Sequence, residues 1–114
     1  MIDYREKLRQ LIGAEKTEEL IQYTLQKVTD KFGKMRKDKK LEITNINILF
    51  LLDQCTLNSS EDKKEQIASM IRQKYKTRTK YLLALDNIEI QKMYKKYFDL
   101  IVEKQKTIRT KNTY

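Results

Sequence analysis

The chain is 114 residues long, 39% hydrophobic and 36% charged, with a formal net charge of +9. That length bounds it to one domain with a modest core, whose stability a partner can supplement. With no Pro and only two Gly, the turn chemistry that all-β folds and Gly-rich phosphate loops require is missing, so the expectation is an all-α, single-domain bundle of four to five helices.

In chain order, the first predicted helix covers 3–12, with Leu8, Leu11 and Ile12 on one side and Gly13 where a left-handed C-terminal cap would sit. A second opens at Thr17 as N-cap, with Glu18 and Glu19 in its first turn. It carries Ile21, Leu25, Val28, Phe32 and Met35 in alternating steps of four and three. Lys34, Arg36, Lys37, Lys39 and Lys40 then crowd its C-terminal end, where positive charge suits the helix dipole. The third segment, 41–57, holds Ile43, Ile46, Ile48, Leu49, Phe50, Leu51 and Leu52 and is predicted to be the buried centre. Its β-branched residues allow a strand over 41–48, but Thr44 and Asn45 favour a helix from about Asn45, giving a central helix over 45–57.

A fourth helix is expected after Ser59 and Ser60, with Asp62 completing a weak capping box and Ile67, Met70 and Ile71 on its apolar side. The fifth opens at Asp86, has Glu89 three residues on, and shows Ile90, Tyr94, Tyr97 and Ile101 in a four-three-four rhythm, supported by Met93 and Phe98. The bundle domain is therefore drawn at 1–103. Lys104, Lys106, Arg109 and Lys111 fall on a basic C-terminal tail, 104–114.

Charge is unevenly distributed along this framework: −1 over 1–26, +5 over 27–40, −3 over 41–70, +5 over 71–81, −1 over 82–103 and +4 over 104–114. Clustered cations are the electrostatic footprint of a phosphate-backbone binder, because neutralising successive phosphates releases condensed counterions. The densest block places Arg72, Lys74, Lys76, Arg78 and Lys80 at every second position, with Tyr75 and Tyr81 interleaved. A helix sets Arg72, Lys76 and Lys80 in one row; a strand puts all five cations on one face, but no turn signal nearby supplies a hairpin partner. Helix is favoured. In the functional reading, cations track a backbone while Tyr75 or Tyr81 stacks on a base. In the bland one, the block is a solvated helix face with both tyrosines half-buried. For 34–40 the helix dipole supplies the bland account.

Catalysis is not expected. There is no histidine, which removes the commonest general base and metal ligand and every Ser-His or Cys-His pair. The single cysteine, Cys55, cannot form an internal disulfide or a zinc site, and beside an apolar run it is expected to be a buried, inert thiol. Glu15, Glu18, Glu19, Glu61, Asp62 and Glu65 cluster where helix N-termini favour acids. No cofactor or metal is implied. The longest nearly apolar run, 46–52, is interrupted at Asn47 and falls far short of the ~20 residues needed to span a bilayer. With a charged start and one cysteine, the expected location is the cytoplasm.

Three functional classes follow. The first is a non-catalytic accessory subunit that binds DNA or RNA through clustered lysine and arginine, in company with other protein subunits. In size, helicity and lysine richness the chain resembles the small helical subunits of CRISPR effector complexes, which implies a role steadying guide or target strands in a larger ribonucleoprotein. No residue role is carried over from that outline. The second is an interaction module such as an antitoxin, immunity protein or adaptor, acting through an apolar seam on the second or fifth helix, with homo-oligomer formation among its modes. Peripheral binding of a basic helix to anionic lipid is a third, weaker class, given the absence of Trp.

Overall fold

A computed structural model describes residues 4–56, 79–85 and 87–112. Among them the protein is all-helical and forms a single domain, as the composition predicts. The elements are α1 (Tyr4–Phe32), α2 (Lys37–Thr56), a 3₁₀ turn (Thr79–Tyr81), α3 (Asn87–Met93) and α4 (Lys95–Asn112). α1 packs on both α2 and α4, and α2 packs on α4. One core joins them, formed by Leu8, Leu20, Ile48, Phe50, Leu51, Leu82, Ile90, Tyr94, Phe98 and Ile101 among others. The predicted fourth helix lies outside the described residues.

The boundaries depart from cap chemistry in instructive ways. Gly13 separates two helical stretches, as expected, but not in the left-handed helical conformation of a cap. It has φ 87° and ψ 162° within α1, and the chain is helical on both sides of it. Only glycine tolerates that region, and so it marks a sharp kink. Thr17 is not an N-cap. It is buried four residues past the kink, and its hydroxyl donates to the Gly13 carbonyl at 2.7 Å.

α2 begins at Lys37, eight residues before the expected start at Asn45, and this excludes the strand over 41–48. Starting early brings Ile43 and Thr44 into the buried face that continues through Asn47, Ile48, Leu51, Leu52 and Cys55. Packing of that face outweighs the local preference for a Thr-Asn start. Thr44, like Thr17, turns its hydroxyl back along the helix, here to the Lys40 carbonyl at 2.8 Å. The segment is the buried centre, as expected.

The fifth predicted helix is two helices, broken at Tyr94. In an unbroken helix the Met93 carbonyl would accept from the Tyr97 amide. Here it accepts the Tyr23 hydroxyl at 3.1 Å, and the Tyr97 amide turns to the Tyr94 carbonyl at 2.9 Å. A side chain entering the backbone ladder is a recognised cause of a kink. α4 then continues through residues 104–112, so the basic residues there extend a helix. The four-three rhythms of α1 and of the α3–α4 stretch face inward: Ile21, Val28, Tyr94, Tyr97 and Ile101 are buried, and Leu25 and Phe32 half-buried. Neither rhythm therefore presents an exposed apolar seam among the described residues.

Candidate nucleic-acid interface

The basic block 34–40 lies at the corner where α1 gives way to α2. Gly33, with φ 73°, ends α1 and donates its amide to the Thr29 carbonyl at 2.9 Å. Positive φ at this position is what glycine supplies cheaply. The Arg36 carbonyl accepts the first turn's bond from the Lys40 amide at 3.0 Å, which makes Arg36 the residue capping α2. Its guanidinium grips Asp38 with two bonds, Nε to Oδ1 at 3.1 Å and Nη2 to Oδ2 at 2.6 Å. The fork with Arg36 holds the Asp38 carboxyl below its usual range and raises the guanidinium in turn. Asp38 also accepts the Lys39 amide at 2.9 Å, satisfying one orphan donor of the helix start.

This placement removes the dipole account for Lys37, Lys39 and Lys40. Cations are favoured at a helix C-terminus and disfavoured at an N-terminus, by ~0.3–1 kcal/mol each at exposed positions. Lys31 stands in the last turn of α1, where the dipole favours it. Lys37, Lys39 and Lys40 instead occupy the first turn of α2, where its dipole opposes them.

Lys80, the last cation of the second basic block, reaches the same corner. Residues 79–85 cross α2 held by backbone bonds. Buried Asn47 donates Nδ2 to the Tyr81 carbonyl at 3.0 Å and accepts the Leu83 amide on Oδ1 at 2.7 Å. Lys31 donates to the Leu82 carbonyl between them at 2.9 Å. Leu82 and Ala84 are buried beneath. Asn47 also bonds the Ile43 carbonyl at 2.8 Å, so both its amide hydrogens are used.

Held in this way, the half-buried Tyr81 ring rests against Phe32, with centroids 6.0 Å apart and planes at 54°. Lys39 Nζ lies over the Tyr81 ring at 5.1 Å and Lys80 Nζ at 5.3 Å. Lys31 Nζ lies over Phe32 at 5.5 Å. An aromatic pair thus carries three lysines from three separate places in the chain.

Of the residues singled out from sequence, Lys34, Arg36, Lys37, Lys39 and Lys80 are exposed and Lys40 and Tyr81 half-buried. Arg72, Lys74, Tyr75, Lys76 and Arg78 lie outside the described residues. The favoured helix over 71–81 is replaced at its end by the 3₁₀ turn, Thr79–Tyr81. Acids offset part of the corner: Asp38 holds Arg36, and Glu42 pairs with Lys39 at 3.6 Å. Lys34, Lys37, Lys40 and Lys80 have no carboxylate partner among the described residues. From 31 to 42 the chain carries six cations against two carboxylates. Sequence reasoning missed Lys31, Phe32 and Asn47 as parts of this corner; the one available signal was a lone Asn interrupting an apolar run.

Other chemistry is sparse. Cys55 is a buried free thiol, pushed up to about 12 by burial first and by the Asp99 charge second. No group of three or more Cys, Asp or Glu that could hold a metal occurs among the described residues. A shallow groove of about 340 Å³ runs along Met35, Arg36, Asp38, Lys39 and Glu42. No described helix is long and apolar enough to cross a membrane. No protein-family model, no curated protein and no solved structure matches this chain.

Proposed function

We propose that this protein is a non-catalytic nucleic-acid-binding accessory subunit that meets the phosphate backbone of DNA or RNA through the lysines of the α1–α2 corner and the adjoining 72–81 stretch. One observation carries the reading: Lys39 and Lys80, distant in sequence, both lie over the Tyr81 ring, amid cations that the α2 dipole disfavours. Like charges brought together at a dipole's positive end lower the stability of the free protein. A polyanion reverses that cost, because phosphates replace the repulsion with charge-assisted bonds and release counterions. The same end of α2 adds its own field to the attraction for phosphate.

The role fits one subunit of a larger ribonucleoprotein, a class that includes the small helical subunits of CRISPR effector complexes. Among the described residues of this corner the arginine fork is closed on Asp38 and the other exposed cations are lysines, which supports backbone contact over base recognition. The test is fluorescence anisotropy with random-sequence DNA and RNA at low ionic strength. Both are expected to bind, and a chain with Lys34, Lys37, Lys39, Lys40 and Lys80 changed to Gln is expected to bind at least tenfold more weakly while keeping its helical circular dichroism. Absence of binding by the wild-type chain would refute the proposal.

A further inference from the structure

Tyr81 is the residue whose role at this corner the geometry redefines. A tyrosine that stacks on a base needs an open ring face. The Tyr81 ring is half-buried, Phe32 is tilted against it, and two ammonium groups stand over it. Its backbone is equally committed. The Tyr81 carbonyl, Leu82 carbonyl and Leu83 amide are held in succession by Asn47, Lys31 and Asn47. These bonds fix the place of the ring relative to α2 before any ligand arrives.

Building on the nucleic-acid reading, we propose that Tyr81 is a positioning residue, holding Lys39 and Lys80 as a pair that grips one sugar-phosphate strand, with no base stacked on its ring. The two nitrogens lie at most about 10 Å apart, the combined reach of their distances to the shared centroid. The negative face of the ring attracts both ammonium groups and offsets their mutual repulsion. Each keeps N–H donors for a phosphate, since a ring contact consumes no specific proton. Asn47 belongs to the same device, because it sets the register of the turn that delivers Lys80. The ligand class is a linear phosphodiester chain, recognised by charge spacing.

The experiment compares a single strand of about 20 nucleotides with an abasic strand of equal length, binding each to wild type, Tyr81→Phe and Tyr81→Leu. A positioning ring predicts that Tyr81→Leu weakens both strands by the same factor, about three- to tenfold, while Tyr81→Phe, which keeps the ring face, matches wild type on both. A stacking ring predicts loss on the base-carrying strand alone, and that result overturns the proposal while leaving nucleic-acid binding intact. Unchanged affinity of Tyr81→Leu for both strands overturns it too. If neither strand binds folded wild-type protein, the function proposed above fails and this inference with it. Should Tyr81→Leu not fold, the exposed Lys39→Gln and Lys80→Gln variants decide the matter. Each is expected to weaken the abasic strand, and a variant that leaves that affinity unchanged overturns the pairing.

Discussion

Two sets of tyrosines in this molecule meet lysines in similar geometry but in different surroundings. Between α1 and α4, Tyr23 meets Tyr94 edge to face at 5.8 Å and Tyr97 at 6.2 Å, with Lys27 over Tyr23 at 5.5 Å and Lys96 over Tyr97 at 5.9 Å. Two of the three hydroxyls are committed inward, Tyr94 to Thr24 at 3.2 Å and Tyr23 to the Met93 carbonyl. Glu19 takes two of the lysines around it, Lys16 at 3.1 Å and Lys96 at 3.8 Å. The hydrogen bond from Lys16 is the main reason the Glu19 carboxyl stays below its usual range. At the α1–α2 corner, Tyr81 carries two lysines and Lys80 has no acid beside it among the described residues. Lysine over tyrosine therefore does not itself mark a binding surface. The corner differs in setting two lysines over a single ring, one of them in the first turn of a helix whose dipole opposes it.

The comparison can be broken most forcefully in the α1–α4 set. Tyr94→Ala removes a buried ring and should cost ~3–5 kcal/mol in urea unfolding, with affinity per folded molecule unchanged. A matching loss of intrinsic affinity would mean the two regions are not separable. Asn47→Leu comes next. It strands the Leu83 amide and Tyr81 carbonyl, at ~1–3 kcal/mol, and unlike Tyr94→Ala it should also weaken nucleic-acid binding, because the turn bearing Lys80 loses its register. Equal affinity in the two variants would remove Asn47 from the site.

Alkaline titration sharpens the contrast further. Cys55 and Tyr94 are each pushed up to about 12, mainly by burial. A group whose folded value is raised contributes stability that is complete below its unfolded value and lost as pH climbs through the folded one. Urea midpoints should fall from about pH 9 to pH 12, and Cys55 should resist thiol reagents at pH 8 until the chain unfolds. Rapid labelling of native protein would contradict the burial. The smallest effect belongs to Glu42→Gln. Freeing Lys39 from an exposed pair should shift stability by less than ~0.5 kcal/mol yet raise affinity a few-fold, whereas a fall in affinity would count against Lys39 as a ligand-binding cation.

Much of the scaffold was legible because apolar periodicity survives wherever a helix packs. The buried set of α1 follows from Ile21 and Val28, and the centre of α2 from Ile48 and Leu51. Boundaries were less legible. A threonine oxygen that matches a cap can equally bond back within a helix, as Thr17 and Thr44 do. The break at Tyr94 depends on a hydroxyl 70 residues away, which no local pattern contains. At the candidate site, sequence alone marked Lys39, Lys80 and Tyr81. Their meeting depends on Asn47 holding a turn 34 to 36 residues further on, a relation carried by tertiary packing alone.

The proposed role of the corner lysines is tested most directly by a salt series of binding to random-sequence duplex DNA. With Lys34, Lys37, Lys39, Lys40 and Lys80 as contacts, log affinity should fall against log salt with a slope of about −4.5, and each Lys→Gln change should make it shallower by about 0.9. A slope near zero, or one that the five changes leave as it was, would contradict the account.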